Sequence, residues 1–472
     1  MNMLATKQDH RSRSWLLIMA LLGLAGFGWW LRAPMHAMPL ERDEGAYAII
    51  GARLLAGDVL YRDLFDHKPP LAHLVFALAA ISPGDPVVAV RVLATVYLLG
   101  TTLLTFLLAR QIYGTLAGLS AAALLIAYGS SRSFQGLTFN TEAVLILPAM
   151  LGCLMAVRAI IHHWPAMLGL AGGAVGLAVL AKPVALALVG PLFLVPLLAR
   201  WPRRVAVTAL GLALLGLSLP LLLLLLTLLI ISGLAAAPEA LWAYNRLYAA
   251  EGWALGWSPR WLWRIWEPML ALGVPALVGL LIASLPGGHI LARGRVPPAR
   301  WWPAHATVAL WGLALLATAL LSLRSFPHYY LAAVPWFSLW VGAGVARLAQ
   351  WLTAPTGQTW PATILVLLAS VALVLPALAE SRPLRGLSPT EQISYLYDWD
   401  GPEFFAPAAE VATFIAAHVP PTKQFSSGRP SHNSIIWLIV APPAVSSTIT
   451  RLIACRTLAT NCSIPWLPHL HA

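Results

Sequence analysis

Long apolar runs broken by short clusters of charge set the pattern of this chain. Lys7, Arg11 and Arg13 precede an apolar run at 15–31 that closes on Trp29-Trp30-Leu31-Arg32. Basic residues before a run and aromatic residues at its far end predict a first membrane crossing with a cytoplasmic N-terminus. A signal peptide is the alternative, and the run lacks a clear small-residue cleavage site. The next apolar run, 71–82, is only about 12 residues long, short of the roughly seventeen needed to cross. Opened by Pro69-Pro70, it predicts an interfacial or re-entrant helix, so that the whole stretch 32–85 stays outside as one loop.

Further runs at about 86–109, 114–130, 140–161, 166–181, 183–199, 205–232, 269–285, 303–323, 328–346 and 359–380 bring the expected crossings to roughly eleven. The two runs on either side of Lys182-Pro183 form a hairpin only if that dipeptide marks an outer tip, because one helix of about thirty residues would be overlong. Alternating the runs from a cytoplasmic N-terminus puts Arg110, His162-His163, Arg200, Arg203-Arg204, Arg293, Arg295, Arg300 and Arg347 inside, as the positive-inside rule requires. Outside fall Asp43, Glu44, Asp66, Lys68, Asn140, Glu142, Lys182, the 233–268 loop and the segment 324–330, none of which was used to set the alternation. The 233–268 loop is rich in Trp and Tyr with Arg246, Arg260 and Arg264 between them, and reads as an interfacial aromatic belt or a substrate lid. After residue 380 the composition turns polar, so 381–472 is expected as a small extracytoplasmic region, with a short amphipathic helix near 407–418 and an atypical tail after about 424.

Composition sharpens this picture. At 59% hydrophobic and 10% charged residues the chain needs lipid as the solvent for most of its surface, so the fold class is all-α and polytopic. The net charge of +12 resides in loop clusters that orient the helices, and nucleic acid is not an expected partner. Cys153, Cys455 and Cys462 show no metal-ligand spacing and no disulfide framework. No cofactor is expected, and no metal. The expected setting is the inner (plasma) membrane, with a monomer surrounded by membrane lipids.

Ten charged residues lie between Glu41 and Lys68. Ionisable groups are costly beside a bilayer and tend to mark function. Asp43 can serve as a general base towards an acceptor hydroxyl or amine, or can simply pair with Arg42 or Arg53. Glu44 can orient that base, bind an acceptor amine, or cap a helix over 45–57. Lys68, with Asp66 and His67 beside it at the start of a helix, suits a phosphate, although a lysine at a membrane boundary also snorkels. Asn140 and Glu142 open a crossing, where the helix dipole alone would favour the acid. Lys182 lies in apolar surroundings and needs a partner or an anionic ligand. Arg324, His328 and Tyr329 offer a cation, an imidazole and a phenol between two crossings, or an interfacial girdle.

Asp43-Glu44-Gly45-Ala46-Tyr47 followed by Asp66-His67-Lys68-Pro69-Pro70-Leu71 resembles the first outer loop of the GT-C glycosyltransferases. The similar group contains the dolichyl-phosphate-mannose–protein mannosyltransferases and the aminoarabinose transferase acting on lipid A. Asn140-Thr141-Glu142, Lys182 and His328-Tyr329-Tyr330-Leu331 resemble later blocks, so the resemblance covers about 15–380. It implies inverting transfer of a sugar from a polyprenyl-phosphate donor, of undecaprenyl or dolichyl type, to a lipid, protein or glycan acceptor at the extracytoplasmic face. By that resemblance Asp43 is the base or positions the acceptor, and Lys68 grips the phosphate. Glu142 is a second acid, Lys182, Arg324, His328 and Tyr329 line the donor pocket, and Tyr47, Asp66 and His67 support it. The tail departs from the family, and its composition after 424 is consistent with a shifted reading frame. A secondary transporter would instead place its ionisable groups at mid-membrane in paired broken helices. A flippase or binding protein for the same lipid would have a similar pocket.

Overall fold

A computed structural model describes residues 2–255, 269–292, 295–321, 326–353 and 360–397. The described residues are helical, with no strand beyond one isolated bridge between Leu60 and Leu64. The long helices are α1 (Asn2–Arg32), α4 (Pro86–Tyr113), α6 (Thr141–His162) and α9 (Arg203–Ile230). Between them lie α2 (Arg42–Leu55), α3 (Leu71–Ala80), α5 (Thr115–Tyr128), α7 (Met167–Ala181) and α8 (Val189–Leu198). The second half adds α10 (Asn245–Leu255), α11 (Val274–Ser284), α12 (Pro298–Leu321), α13 (His328–Leu331), α14 (Val334–Thr353), α15 (Trp360–Ser381) and α16 (Pro389–Leu396).

Six described helices are long and apolar enough to cross a membrane: Ser14–Met35, Pro86–Tyr113, Thr141–His162, Arg203–Ile230, Pro298–Leu320 and Thr363–Ser381. Other runs expected to cross correspond to shorter apolar helices, among them Thr115–Tyr128, Met167–Ala181, Pro183–Leu198 and Met269–Ser284. The run expected over 328–346 divides into α13 and α14. At ten residues, α3 is about 15 Å long, half the thickness of a hydrocarbon core.

Helix direction follows from contacts between small residues. A Cβ on Gly172 would lie 2.1 Å from Ala213 O, and one on Gly176 would lie 2.6 Å from Leu217 O, so numbers rise together and α7 runs parallel to α9. Along α6 they run oppositely, since Gly152 faces Ala171 while Glu142 meets Lys182. The chain therefore turns back between α7 and α9, and Lys182-Pro183 is the tip of that reversal. Lys182 has extended backbone (φ −156°, ψ 129°), and Pro183–Leu188 continues as a 3-10 helix into α8. Pro183 accounts for the break, since it lacks an N–H and disfavours a helical residue before it.

One pole of the bundle gathers the end of α1, the α2–α3 loop, the starts of α4 and α6, and Lys182. At the other pole His163 meets Trp201 (ring centroids 6.3 Å), Arg300 donates to Ile161 O (2.6 Å) and Arg347 donates to Pro286 O (2.5 Å). Beyond α15, α16 is opened by a Ser388/Glu391 capping box, and its Ile393 and Leu396, with Tyr397 after it and Leu384 of the preceding 3-10 turn, cluster with Met35, Met38 and Leu137. The helix expected near 407–418 and the tail after 424 lie outside the described residues.

Candidate active site

The carboxylates are carried on α2, whose start is fixed by a reciprocal cap. Glu44 N donates to Glu41 Oε1 (3.0 Å) and Glu41 N donates to Glu44 Oε2 (2.9 Å). The helix therefore begins at Arg42, three residues before the expected Gly45, and ends at Leu55. Glu44 is wholly buried, pairs with Arg91 of α4 and accepts Phe139 N, so its place is in the scaffold rather than open to an acceptor. Asp43, one residue earlier, keeps a side chain 30% exposed and accepts from Arg42 Nε at 3.2 Å. Burial pushes its carboxyl up, but Lys68 and Arg42 outweigh this and hold it below the usual carboxylate range.

Lys68 is presented by a braced turn. Asp66 Oδ1 accepts Lys68 N (3.1 Å), Tyr61 donates its hydroxyl to Lys68 O (3.0 Å), and Lys68 Nζ donates to Tyr47 Oη (3.0 Å). Among the described residues no carboxylate lies within ion-pairing distance of Lys68, which leaves donors of its ammonium for a ligand. Burial pulls its pKa down, yet Asp43 and Asp66 more than compensate and keep it charged. Asp66 lies 3.3 Å from both His67 Nδ1 and His73 Nε2, and burial pushes the His73 imidazole down to about 4. Ala72 and His73, in the first turn of α3, are wholly buried, so Lys68 rather than those backbone amides faces a ligand.

Glu142 and Lys182 meet as an ion pair between α6 and the tip after α7. Lys182 Nζ also lies 3.9 Å from the centre of the Tyr329 ring, whose hydroxyl is 2.9 Å from that of Tyr248. Asn140 donates to Thr138 Oγ1 (3.1 Å), while its buried Oδ1 has no partner among the described residues and it makes no side-chain cap for α6. His328 Nδ1 is 2.9 Å from Gln135 Oε1. Arg324 lies outside the described residues. No group of three or more His, Cys, Asp or Glu among the described residues is arranged to hold a metal ion.

Several residues here were not singled out by sequence. Arg91, a lone cation within an apolar run, carried the signal of a buried charge needing a partner. Asn245 and Tyr248 read only as part of an aromatic loop, yet Asn245 donates to His67 O (2.8 Å) and the Tyr244 and His67 rings lie 4.9 Å apart. The described part of the 233–268 loop thus packs on the Lys68 turn and on Tyr329. Trp242, 68% exposed, keeps the character of a belt residue. Gln135 had no sequence signal.

The helical bundle that carries this site is similar in fold to known proteins. The fold is that of the GT-C membrane glycosyltransferases. Residues 67–235 match the family model for dolichyl-phosphate-mannose-protein mannosyltransferase, a stretch holding Lys68, Asn140, Glu142 and Lys182. The chain is similar to ArnT from Cupriavidus metallidurans bound to undecaprenyl phosphate, with TM-score 0.53, 16% identity, 87% of this chain and 82% of that one covered. It is also similar to the Archaeoglobus fulgidus oligosaccharyltransferase in its apo form, with TM-score 0.55, 14% identity and 86% of this chain covered, and spans 58% of that longer protein. A third, the archaeal oligosaccharyltransferase AglB from Archaeoglobus fulgidus in complex with an inhibitory peptide and a dolichol-phosphate, aligns with TM-score 0.54 and 13% identity over 93% of this chain and 64% of that one. Comparison with curated proteins gives no match.

Proposed function

We propose that this protein is an inverting glycosyltransferase that moves a sugar from a polyprenyl-phosphate donor to a hydroxyl or amine acceptor at the extracytoplasmic face of the inner membrane. The observation that carries this reading is the pairing of a charged, half-buried Lys68, which has no carboxylate partner among the described residues, with a partly exposed, ionised Asp43. Asp43 takes the proton of the acceptor as its oxygen or nitrogen attacks the anomeric carbon. The bond from that carbon to the donor phosphate breaks from the opposite side. The leaving polyprenyl phosphate takes the electron pair, and its charge is met by the Lys68 ammonium. Tyr47 accepts from that ammonium and Asp66 braces the Lys68 backbone, while Glu142, Lys182, His328 and Tyr329 lie together beside them. The match with a family that includes mannosyltransferases, and the lipid phosphates bound by similar structures, support the donor class.

The full-length protein in lipid, given labelled polyprenyl-phosphate sugars, tests the reading. Asp43→Asn is expected to lower transfer by roughly 10²–10⁴-fold with donor binding retained, and Lys68→Met to weaken donor binding. Full transfer by Asp43→Asn would remove the base assignment, and donor movement across the bilayer without transfer by the wild type would favour a flippase.

A further inference from the structure

The turn between α5 and α6, residues 129–140, is held from several sides. Arg32 donates to Gly129 O (2.9 Å), Gly136 O (2.8 Å) and Leu137 O (3.3 Å), and Arg91 donates to Leu137 O (3.2 Å). Glu380 accepts Ser133 N (2.9 Å) and Oγ (2.6 Å), Ser381 donates to Ser130 O (3.0 Å), and Glu44 accepts Phe139 N. Within this fixed turn Gln135 is 3% exposed and has φ +48°, a left-handed conformation uncommon for a residue with a side chain. That backbone turns its amide oxygen to within 2.9 Å of His328 Nδ1.

His328 Nε2 has no partner among the described residues. The imidazole lies in the field of Glu142 on α6, Lys182 after α7, Asp43 on α2 and Lys68 before α3, with the Phe326 and Tyr329 rings at 5.6 and 5.0 Å. An amide oxygen accepts only, so a neutral imidazole bonded to it carries its proton on Nδ1 and presents a lone pair at Nε2. Such a lone pair repels a phosphate oxygen and suits a hydroxyl.

We propose that Gln135 is a positioning residue that fixes His328 as the Nδ1–H tautomer, so that Nε2 accepts a hydrogen bond from a hydroxyl of the donor's sugar instead of donating to its phosphate. The identity of the ligand rests on the glycosyl-transfer reading, whereas the tautomer does not. Full-length protein labelled with ¹⁵N-histidine, with His328 assigned by its loss in His328→Asn, reads the tautomer directly. The wild type is expected to show a protonated Nδ1 and an unprotonated Nε2, and Gln135→Leu to lose that preference. In transfer assays Gln135→Leu is expected to lower kcat about tenfold, with binding of the sugar-free polyprenyl phosphate unchanged. Gln135→Glu still accepts from Nδ1 but favours the imidazolium, so its activity should approach wild type at high pH and fall away at a higher pH than wild type does. A wild-type His328 protonated on Nε2, or an unchanged tautomer in Gln135→Leu, overturns the proposal. Weakened binding of the sugar-free phosphate by Gln135→Leu would return His328 to the phosphate. A correct tautomer with no sugar transfer would sink the glycosyl-transfer reading and leave the Gln135–His328 pairing standing.

Discussion

Asp43 is ionised because two cations outweigh its burial, and the two are separable by experiment. Lys68 faces the proposed donor, but Arg42 is half exposed and touches Asp43 from the solvent side. Arg42→Gln removes one cation, which raises the Asp43 pKa, so the acid limb of a pH–kcat profile is expected to move to higher pH while donor binding holds. An unmoved acid limb would detach that limb from Asp43. A different outcome is expected at Glu44, which is wholly buried against Arg91. Arg91→Leu strands a buried carboxylate at a cost of about 3–5 kcal/mol, read as a fall in thermal stability, and adding Glu44→Gln, which removes the charge but keeps an acceptor for the α2 cap and Phe139 N, should recover part of it. Asp43 and Glu44 stood out in the sequence because charge is conspicuous against apolar runs, although Arg91, equally charged, was not singled out. Gln135, Asn245 and Tyr248 did not stand out, because an amide or phenol in a loop is ordinary until folding sets it against His328, His67 or Tyr329.

At the scale of elements, α7 and α9 lie so close that side chains are excluded between them. A Cβ on Gly216 would lie 1.9 Å from Gly169 O, which is backbone and cannot swing aside. Gly216→Leu is therefore expected to destabilise the protein by about 3 kcal/mol or to displace α9, whereas Gly211→Leu, whose Cβ meets nothing within 4 Å, should be tolerated. Equal thermal stability for the two variants would contradict this packing. Hydropathy located most helices to within a few residues, as it did α15, since lipid leaves the backbone no alternative to helix. It misjudged the start of α2, where two glutamates extend the helix by mutual capping, and it merged α13 with α14, whose separation is invisible in a continuous apolar run.

Across the whole molecule, polar groups of opposite purpose occupy opposite poles, and this predicts labelling from opposite sides. With native cysteines replaced, Arg62→Cys should react with an impermeant thiol reagent added outside, and Arg203→Cys only once the membrane is opened. Labelling of both from one side would break the alternation of crossings. Which polar groups share a pole was legible because basic loops follow a simple count, whereas the way distant loops converge on the 129–140 turn depends on contacts spanning hundreds of residues, such as Ser133 with Glu380. That turn also sets an order on synthesis. Arg32, Glu44 and Arg91 reach it from earlier in the chain and can engage it early, but His328, Glu380 and Ser381 are made long afterwards. A nascent chain already threaded into the bilayer thus waits with Gln135 unpaired until His328 is made, and the turn meets Glu380 and Ser381 only once α15 is complete.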